Sequence, residues 1–507
     1  MKKRIITGLT ALFLSAATIV GCSGNPAGSS SAGPTGDSSA ASEAAPVSSS
    51  GIDNSKEVTL KIHAIVNPQN DEATVFDALN QLTKEKLNTK VNYLFHGGSY
   101  ADKIQVIIAS GEEYDICFTA SWLNNYSSNA AKGAFADITD MLELTPALKS
   151  EIPQYMWDAA KIKGKIYAVP NQQIVARALP IMAPKEYIEG TNTDVSKIGK
   201  ISDLADYLVK AKEKYGARYN GQALNELADL NGYELLLDGY TGGAIKMDDA
   251  SATVVNFFET PEFKDSLMQI AELYQKGLVD SECVTNQEYR ESQRKAKKTS
   301  ATLSGTYKPG GDVEESVRAG YDCILEPLAG IKPYVSTGSV IATMQAISNS
   351  SKNPERALQY LEFLNTSSDA MNLLSYGVEG KHYEKVSGNV IKTIPDSGYA
   401  PGASWAIGNV FKTYVVQGQP EDVWEQTKKM NDTAVTSPVL GFIFDPEPVK
   451  LQVTSVTKIA TEYTALGGGS LDVEKSLTEM NDKMKVAGMD DIIAEMQKQV
   501  TEFLKSK

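Results

Sequence analysis

Histidine and cysteine are nearly absent: three His (His63, His96, His382) and four Cys stand among 507 residues. No two of them fall at the spacing of a ligand pair, so no metal site is expected. So few Cys also exclude a disulfide-built scaffold. Phosphate-cradling glycine loops, an EF-hand loop and a Gly-x-Ser-x-Gly elbow are missing as well. A Ser-His-Asp triad would need one of three scattered His, and nothing local marks any of them. Carboxylates are plentiful, yet no pair stands out as a glycosidase couple. No catalytic residue, metal or cofactor is therefore expected. Basic charge is short too: 49 Lys and Arg against 63 Asp and Glu leave a net of −14. That balance argues against nucleic acid and against a polybasic membrane face. No apolar run reaches the ~20 residues of a spanning helix.

What is there begins at the N-terminus. Lys2, Lys3 and Arg4 precede an apolar run from Leu9 to Val20, which closes in Ile19-Val20-Gly21-Cys22. A basic start, a short apolar core and small residues before a cut site make a secretion signal over residues 1–21. The Cys at the cut resembles a lipobox, with Ile19 in place of the commoner Leu. That resemblance implies that Cys22 is diacylated and becomes the first residue of a lipoprotein. One acyl chain anchors marginally; two hold a protein on the membrane. Residues 22–55 are rich in Ser, Gly, Ala and Pro. They cannot bury enough apolar surface to order themselves and read as a tether with a reach of roughly 30 Å. Losing the leader takes the charge to −17, since Lys2, Lys3 and Arg4 go with it. The expected location is extracytoplasmic, on the outer face of the membrane. About 450 residues remain, enough for two or three domains. Cys117 reads as a buried apolar residue. Spacing leaves a Cys283–Cys323 bridge open.

The body starts as strand, helix, strand, helix, strand. Val58, Leu60, Ile62 and Ala64 alternate with Thr59, Lys61 and His63. Helices are predicted over 72–87 and 100–110, with strands over 91–95 and 114–119. This order implies a parallel α/β sheet. Thr260-Pro261 opens a helix with Phe263, Leu267, Ile270 and Tyr274 on one face. Asn353-Pro354 repeats the device, with Leu358, Leu361 and Leu364 as the stripe. Strands are expected over 321–328 and 339–347, and helix over 472–505. Trp157 and Trp424 fit helical stripes and are expected in the core.

Several stretches, in order, resemble the extracellular solute-binding proteins of carbohydrate-type ABC importers. They are Glu113-Tyr114-Asp115-Ile116 through Ser121-Trp122, Gly133 to Thr139, Lys163 to Pro170, Thr302 to Tyr307 and Ser351 to Ala357. Tyr376 to Tyr383, with Gly441 to Pro446, is similar to a Firmicutes subgroup whose distinctive C-terminal region has no assigned function. The resemblance spans nearly all of residues 56–507. It implies a two-lobed, periplasmic-binding-protein-like type II α/β fold with a hinge and a ligand cleft between the lobes. The first lobe would comprise 56–170 plus 324–349. The second would comprise 171–323 plus 350–507, including the family-specific region from about 440. The implied partners are an oligosaccharide and the permease subunits of an ABC transporter, and the protein is expected to act as a monomer.

A sugar has apolar C–H faces and a polar rim, so its site needs flat aromatic platforms and hydrogen-bonding groups. Trp122 follows a buried strand, where α/β ligand loops sit. Ser121 and Asn125 flank it. Asn171, Gln172 and Gln173 follow Pro170 and offer neutral amides. Thr306 and Tyr307 lie in the second-lobe loop, Trp405 in a later loop, and His96 at the end of the second strand. Each has a bland alternative: packing on its own lobe or hinge hydrogen bonding. The favoured reading is a non-enzymatic binder that passes an oligosaccharide to a permease. Alternatives are a peptide or other solute binder, a tethered glycan-active hydrolase, and a protein that presents ligand to a sensor.

Overall fold

The computed structural model describes residues 51–237 and 241–507. The leader, Cys22 and most of the tether lie outside the described residues. The end of the tether does not: Ile52 is buried, and the Arg356 guanidinium donates to the carbonyls of Asp53 at 3.1 Å and Lys56 at 3.2 Å. Ordered packing thus begins before residue 56, the expected start, because a buried cation collects carbonyls from this segment.

Five strands form the first sheet, in the order Thr89–Phe95, Val58–Ala64, Ile116–Thr119, Met344–Ile347, Ala168–Pro170. The first three run parallel, as the alternating pattern predicts. Met344–Ile347 runs antiparallel to both of its neighbours, so the sheet is mixed. Helices Glu72–Leu87 and Tyr100–Ser110 stand where the periodicity places them. The expected strand over 339–347 is only half strand. Residues Thr337–Val340 form a helical turn instead, because the Ser336 hydroxyl accepts from the Ser339 amide and the Ser339 hydroxyl from that of Ser336. The C-terminal helix is two helices, Val473–Val486 and Met489–Ser506, broken at Gly488 with φ 96°.

Two hydrophobic cores divide the body. One is built around Leu60, Ile116, Phe118 and Tyr360; the other around Phe257, Phe263, Leu267 and Ile492. The chain leaves the first core at Ala176 and enters the second at Leu179. It leaves the second at Leu328 and re-enters the first at Val335. A third passage falls near Val439 and Leu440. The crossings are stitched side by side. Arg177 and Tyr334 exchange both backbone hydrogen bonds, at 2.7 and 2.8 Å, and Tyr334–Val335 pairs in parallel with Val435–Thr436.

The helix Pro354–Thr366 belongs to the first core, with Leu358, Leu361 and Leu364 fully inside. Residues 370–374 and 399–407 also pack there. The expectation that everything after 350 joins the second lobe is corrected on this point. The cause is a set of buried polar ties. Arg356 reaches the carbonyls of Leu87 and Asn88, and Glu362 accepts from the amides of Ala147 at 3.0 Å and Leu148 at 3.1 Å. A charge placed under the first lobe cannot leave it without losing those partners. The three described Cys, Cys117, Cys283 and Cys323, are all free and buried, which closes the Cys283–Cys323 alternative. Among the described residues no helix is long and apolar enough to cross a membrane.

Candidate ligand-binding site

Parallel strands deliver their carboxyl ends to one edge of a sheet, and ligands of open α/β sheets gather there. In the first lobe that edge collects the loops after Thr89–Phe95, Ile116–Thr119 and Ala168–Pro170, with the turn before Met344. Seven of the ten candidates lie on these loops, and Trp405 is tied to the edge by hydrogen bonds.

Trp122 is 52% exposed, a large apolar side chain left in the open. Its Nε1–H donates to the Ala342 carbonyl at 2.8 Å, which fixes the ring. The fully buried Phe118 lies behind it, ring centroids 6.1 Å apart. Trp405 meets the same Phe118 edge to face, also at 6.1 Å. One core phenylalanine therefore carries two tryptophans.

The neighbouring amides are largely spent on holding this arrangement. Asn171 is buried; its Nδ2 donates to the Trp405 carbonyl at 3.0 Å. Gln345 donates to the next carbonyl, Ala406, at 2.7 Å. Gln173 donates to the Thr343 hydroxyl at 2.9 Å and stays half-buried. Gln172 is buried, and its Nε2 has no protein partner. Asn125 is a helix cap: its Oδ1 accepts from the Ser128 amide at 2.9 Å and its Nδ2 donates to the Ser121 carbonyl at 2.6 Å. Ser121 is half-buried, its amide donating to the Ile341 carbonyl. His96 is paired with the buried His63, Nε2 to Nδ1 at 2.8 Å, rings stacked. Burial, then the charge of a protonated His96, hold the His63 imidazole down to about 4.

The second lobe presents a matching edge. Segments Arg218–Tyr219 and Thr299–Thr302 run alongside each other, and the loops beyond both emerge together. The Tyr307 amide donates to the Ala178 carbonyl at 2.8 Å, which sets this loop beside the crossings. Thr306 and Tyr307 part company: Thr306 lines a cavity of about 500 Å³, and Tyr307 lines another of about 540 Å³ with Ser196 and Glu326.

A polar network on the first cavity was not foreseen from sequence. Tyr219 donates to Gln222 at 2.7 Å, and Gln222 donates to Glu226 at 2.8 Å and to the Leu303 carbonyl at 2.6 Å. The Ser304 hydroxyl donates to the other Glu226 oxygen. Burial raises the Glu226 carboxyl above its usual range, and the Ser304 hydrogen bond opposes that rise. The available signal was the neutral amides Asn220 and Gln222, the residue type that also selected 171–173. Among the described residues no group of His, Cys, Asp and Glu could hold a metal ion.

A two-lobed α/β body, three crossings and ligand edges on both lobes define a hinged binding protein. The model of the bacterial extracellular solute-binding protein family matches residues 67–371, and the chain belongs to that family. Residues 438–505 match a second model, described as a domain of unknown function. A carbohydrate ABC transporter substrate-binding protein of Streptococcus pneumoniae serotype 4 is 28% identical over 471 residues, 90% of this chain and 93% of that one. The N-glycan transport solute binding protein NgtS of Streptococcus pneumoniae superposes with a TM-score of 0.77 at 26% identity, covering 89% of this chain and 99% of the other. Its complex with Man5GlcNAc gives 0.71 at 26% identity, with 89% and 99% covered. The fold is the expected two-lobed type II architecture.

Proposed function

We propose that this protein captures an oligosaccharide between its two lobes and delivers it to the permease of an ABC transporter, without chemical turnover. The observation that carries the reading is the pair Trp122 and Trp405 braced on Phe118 at the ligand edge. An exposed, fixed indole offers a flat apolar face to the C–H side of a sugar ring, and the edges around it offer hydroxyls and amides for the rim. The relatives' names support the carbohydrate class and the transport partner. Of the ten candidates, Ser121, Trp122, Trp405, Gln172, Gln173, Thr306, Tyr307 and His96 have side-chain surface or unpaired polar atoms to offer. Asn125 and Asn171 act on the site through the loops they hold.

The lobes turn about the crossings near 177, 328–334 and 435–440, and closure brings the second-lobe loops onto the ligand. Lipid on Cys22 keeps the monomer at the outer membrane face, with the following segment as its tether. Cys22→Ser should release the protein from the membrane and abolish incorporation of labelled fatty acid.

The test is a thermal-shift panel of oligosaccharides, with peptides alongside. A ligand at 100 times its dissociation constant adds about 2.7 kcal/mol of stability. A shift with an oligosaccharide and no product on prolonged incubation is expected. Shifts with peptides alone, or sustained product formation, would overturn the reading.

A further inference from the structure

The second-lobe cavity is polar in a different way from the tryptophan edge. Four cationic side chains line it: Arg290, Arg294, Lys308 and Arg318. Three are already matched. Arg294 pairs with Glu291 at 2.8 Å, Arg318 with Glu315, and Lys308 with Glu314. Arg290 is not: its guanidinium makes no ion pair and no hydrogen bond among the described residues. Glu226 lines the same cavity and its charge acts on Arg290 without a direct ion pair, its two oxygens accepting from Gln222 and Ser304. In the cavity wall, Arg294 Nη1 and the hydroxyl of Thr299 are buried with no partner. The Thr299 hydroxyl can turn to an acceptor without giving up an existing bond, whereas Arg294 is held in place through Nε and Nη2 on Glu291. Buried donors without acceptors are rare and costly in folded proteins.

An unpaired guanidinium is a planar fork of donors, best matched by a carboxylate or another oxyanion. Ser304 and Thr306 around it supply partners for hydroxyls. The protein as a whole repels anions, but its net charge is screened beyond about 8 Å at physiological salt, so the local charges decide, and the four cations here stand beside the carboxylates Glu226, Glu291 and Glu315. We propose that this cavity receives an acidic sugar unit, its negatively charged group on Arg290, while a neighbouring neutral unit lies on the tryptophans. The inference rests on the oligosaccharide reading above and narrows it.

The experiment is calorimetric titration of the protein with matched pairs of oligosaccharides: neutral, uronate-bearing and sulfated versions of one backbone. The acidic member should bind at least tenfold more tightly than the neutral one, with an advantage that shrinks as salt rises. The carboxylated and sulfated arms tell which oxyanion is preferred. Arg290→Gln should bring the acidic-to-neutral ratio close to one, and Arg290→Lys should restore part of it, in variants whose melting temperatures match the parent. Equal binding of neutral and acidic members, or a ratio unmoved by Arg290→Gln, overturns this inference and leaves the oligosaccharide reading intact. Binding of no oligosaccharide at all overturns both.

Discussion

The two ligand edges are built from opposite materials. The first lobe offers two tryptophans on a core phenylalanine, with amides mostly locked into loops. The second offers a hydroxyl, an amide, a carboxylate and an unpaired guanidinium around a cavity, with Tyr307 the aromatic residue on its loop. Apolar platforms give contact area with little regard to which hydroxyl points where; polar networks discriminate between ligands. On the proposed reading the first lobe supplies grip and the second supplies choice, so affinity and specificity should change separately when one lobe or the other is mutated.

The sharpest break of this comparison uses the cores. Phe118→Ala should cost about 3–5 kcal/mol of stability and also weaken ligand, because both tryptophans lose their backing. Phe263→Ala, fully buried in the second core, should cost a similar amount and leave the affinity of the folded fraction unchanged. Urea melts and calorimetry separate the two. Next comes pH. Glu234, buried in the second lobe, accepts from Tyr334 at 2.7 Å and from Ser437 at 2.6 Å, hydroxyls on two crossing segments. Burial pushes its carboxyl up to about 7. The folded state then holds a proton that the unfolded chain releases, so stability falls as pH rises from about 4.5 to 7. Glu234→Gln should match the parent at pH 5 and exceed it at pH 8, by up to about 3 kcal/mol, in thermal melts. His63 in the first lobe runs the other way. It stays neutral in the fold down to about 4, so its contribution grows as pH rises from about 4 to 6.5. His63→Gln should flatten the acid limb of the melting profile, while Glu234→Gln flattens the neutral limb. The smallest effect in energy is Trp122→Ala. It should weaken ligand at least tenfold, about 1.4 kcal/mol, with little change in melting temperature because the ring is half exposed.

Much of the fold was legible because periodicity is local. Residues 58–119 alternate or repeat as strands and helices must, and the structure follows them closely. The lobe assignment of 354–374 was not legible, since it depends on Arg356 and Glu362 meeting groups more than two hundred residues away. The turn at 337–340 was hidden in an apolar run that also suits a strand; its serine caps decided the matter. Trp122 was legible as an exposed aromatic because it follows a buried strand, and the structure leaves it 52% exposed. Asn125 and Asn171 carried the same signal and turned out to serve the backbone, as Asn often does at caps and turns. The cavity positions of Glu226 and Arg290 were not legible because neither sits in a local pattern. Their meaning comes from Ser304 and from a cavity that only folding creates.

Hydrogen–deuterium exchange with and without oligosaccharide reads directly whether both lobes hold the ligand. The probe set begins with Man5GlcNAc, the ligand of a related complex, and extends to uronate-bearing chains. Simultaneous protection of 120–125 and 171–173 in the first lobe and of 220–226 and 303–307 in the second is expected. Protection confined to one lobe, or falling away from both edges, would contradict a ligand held between them.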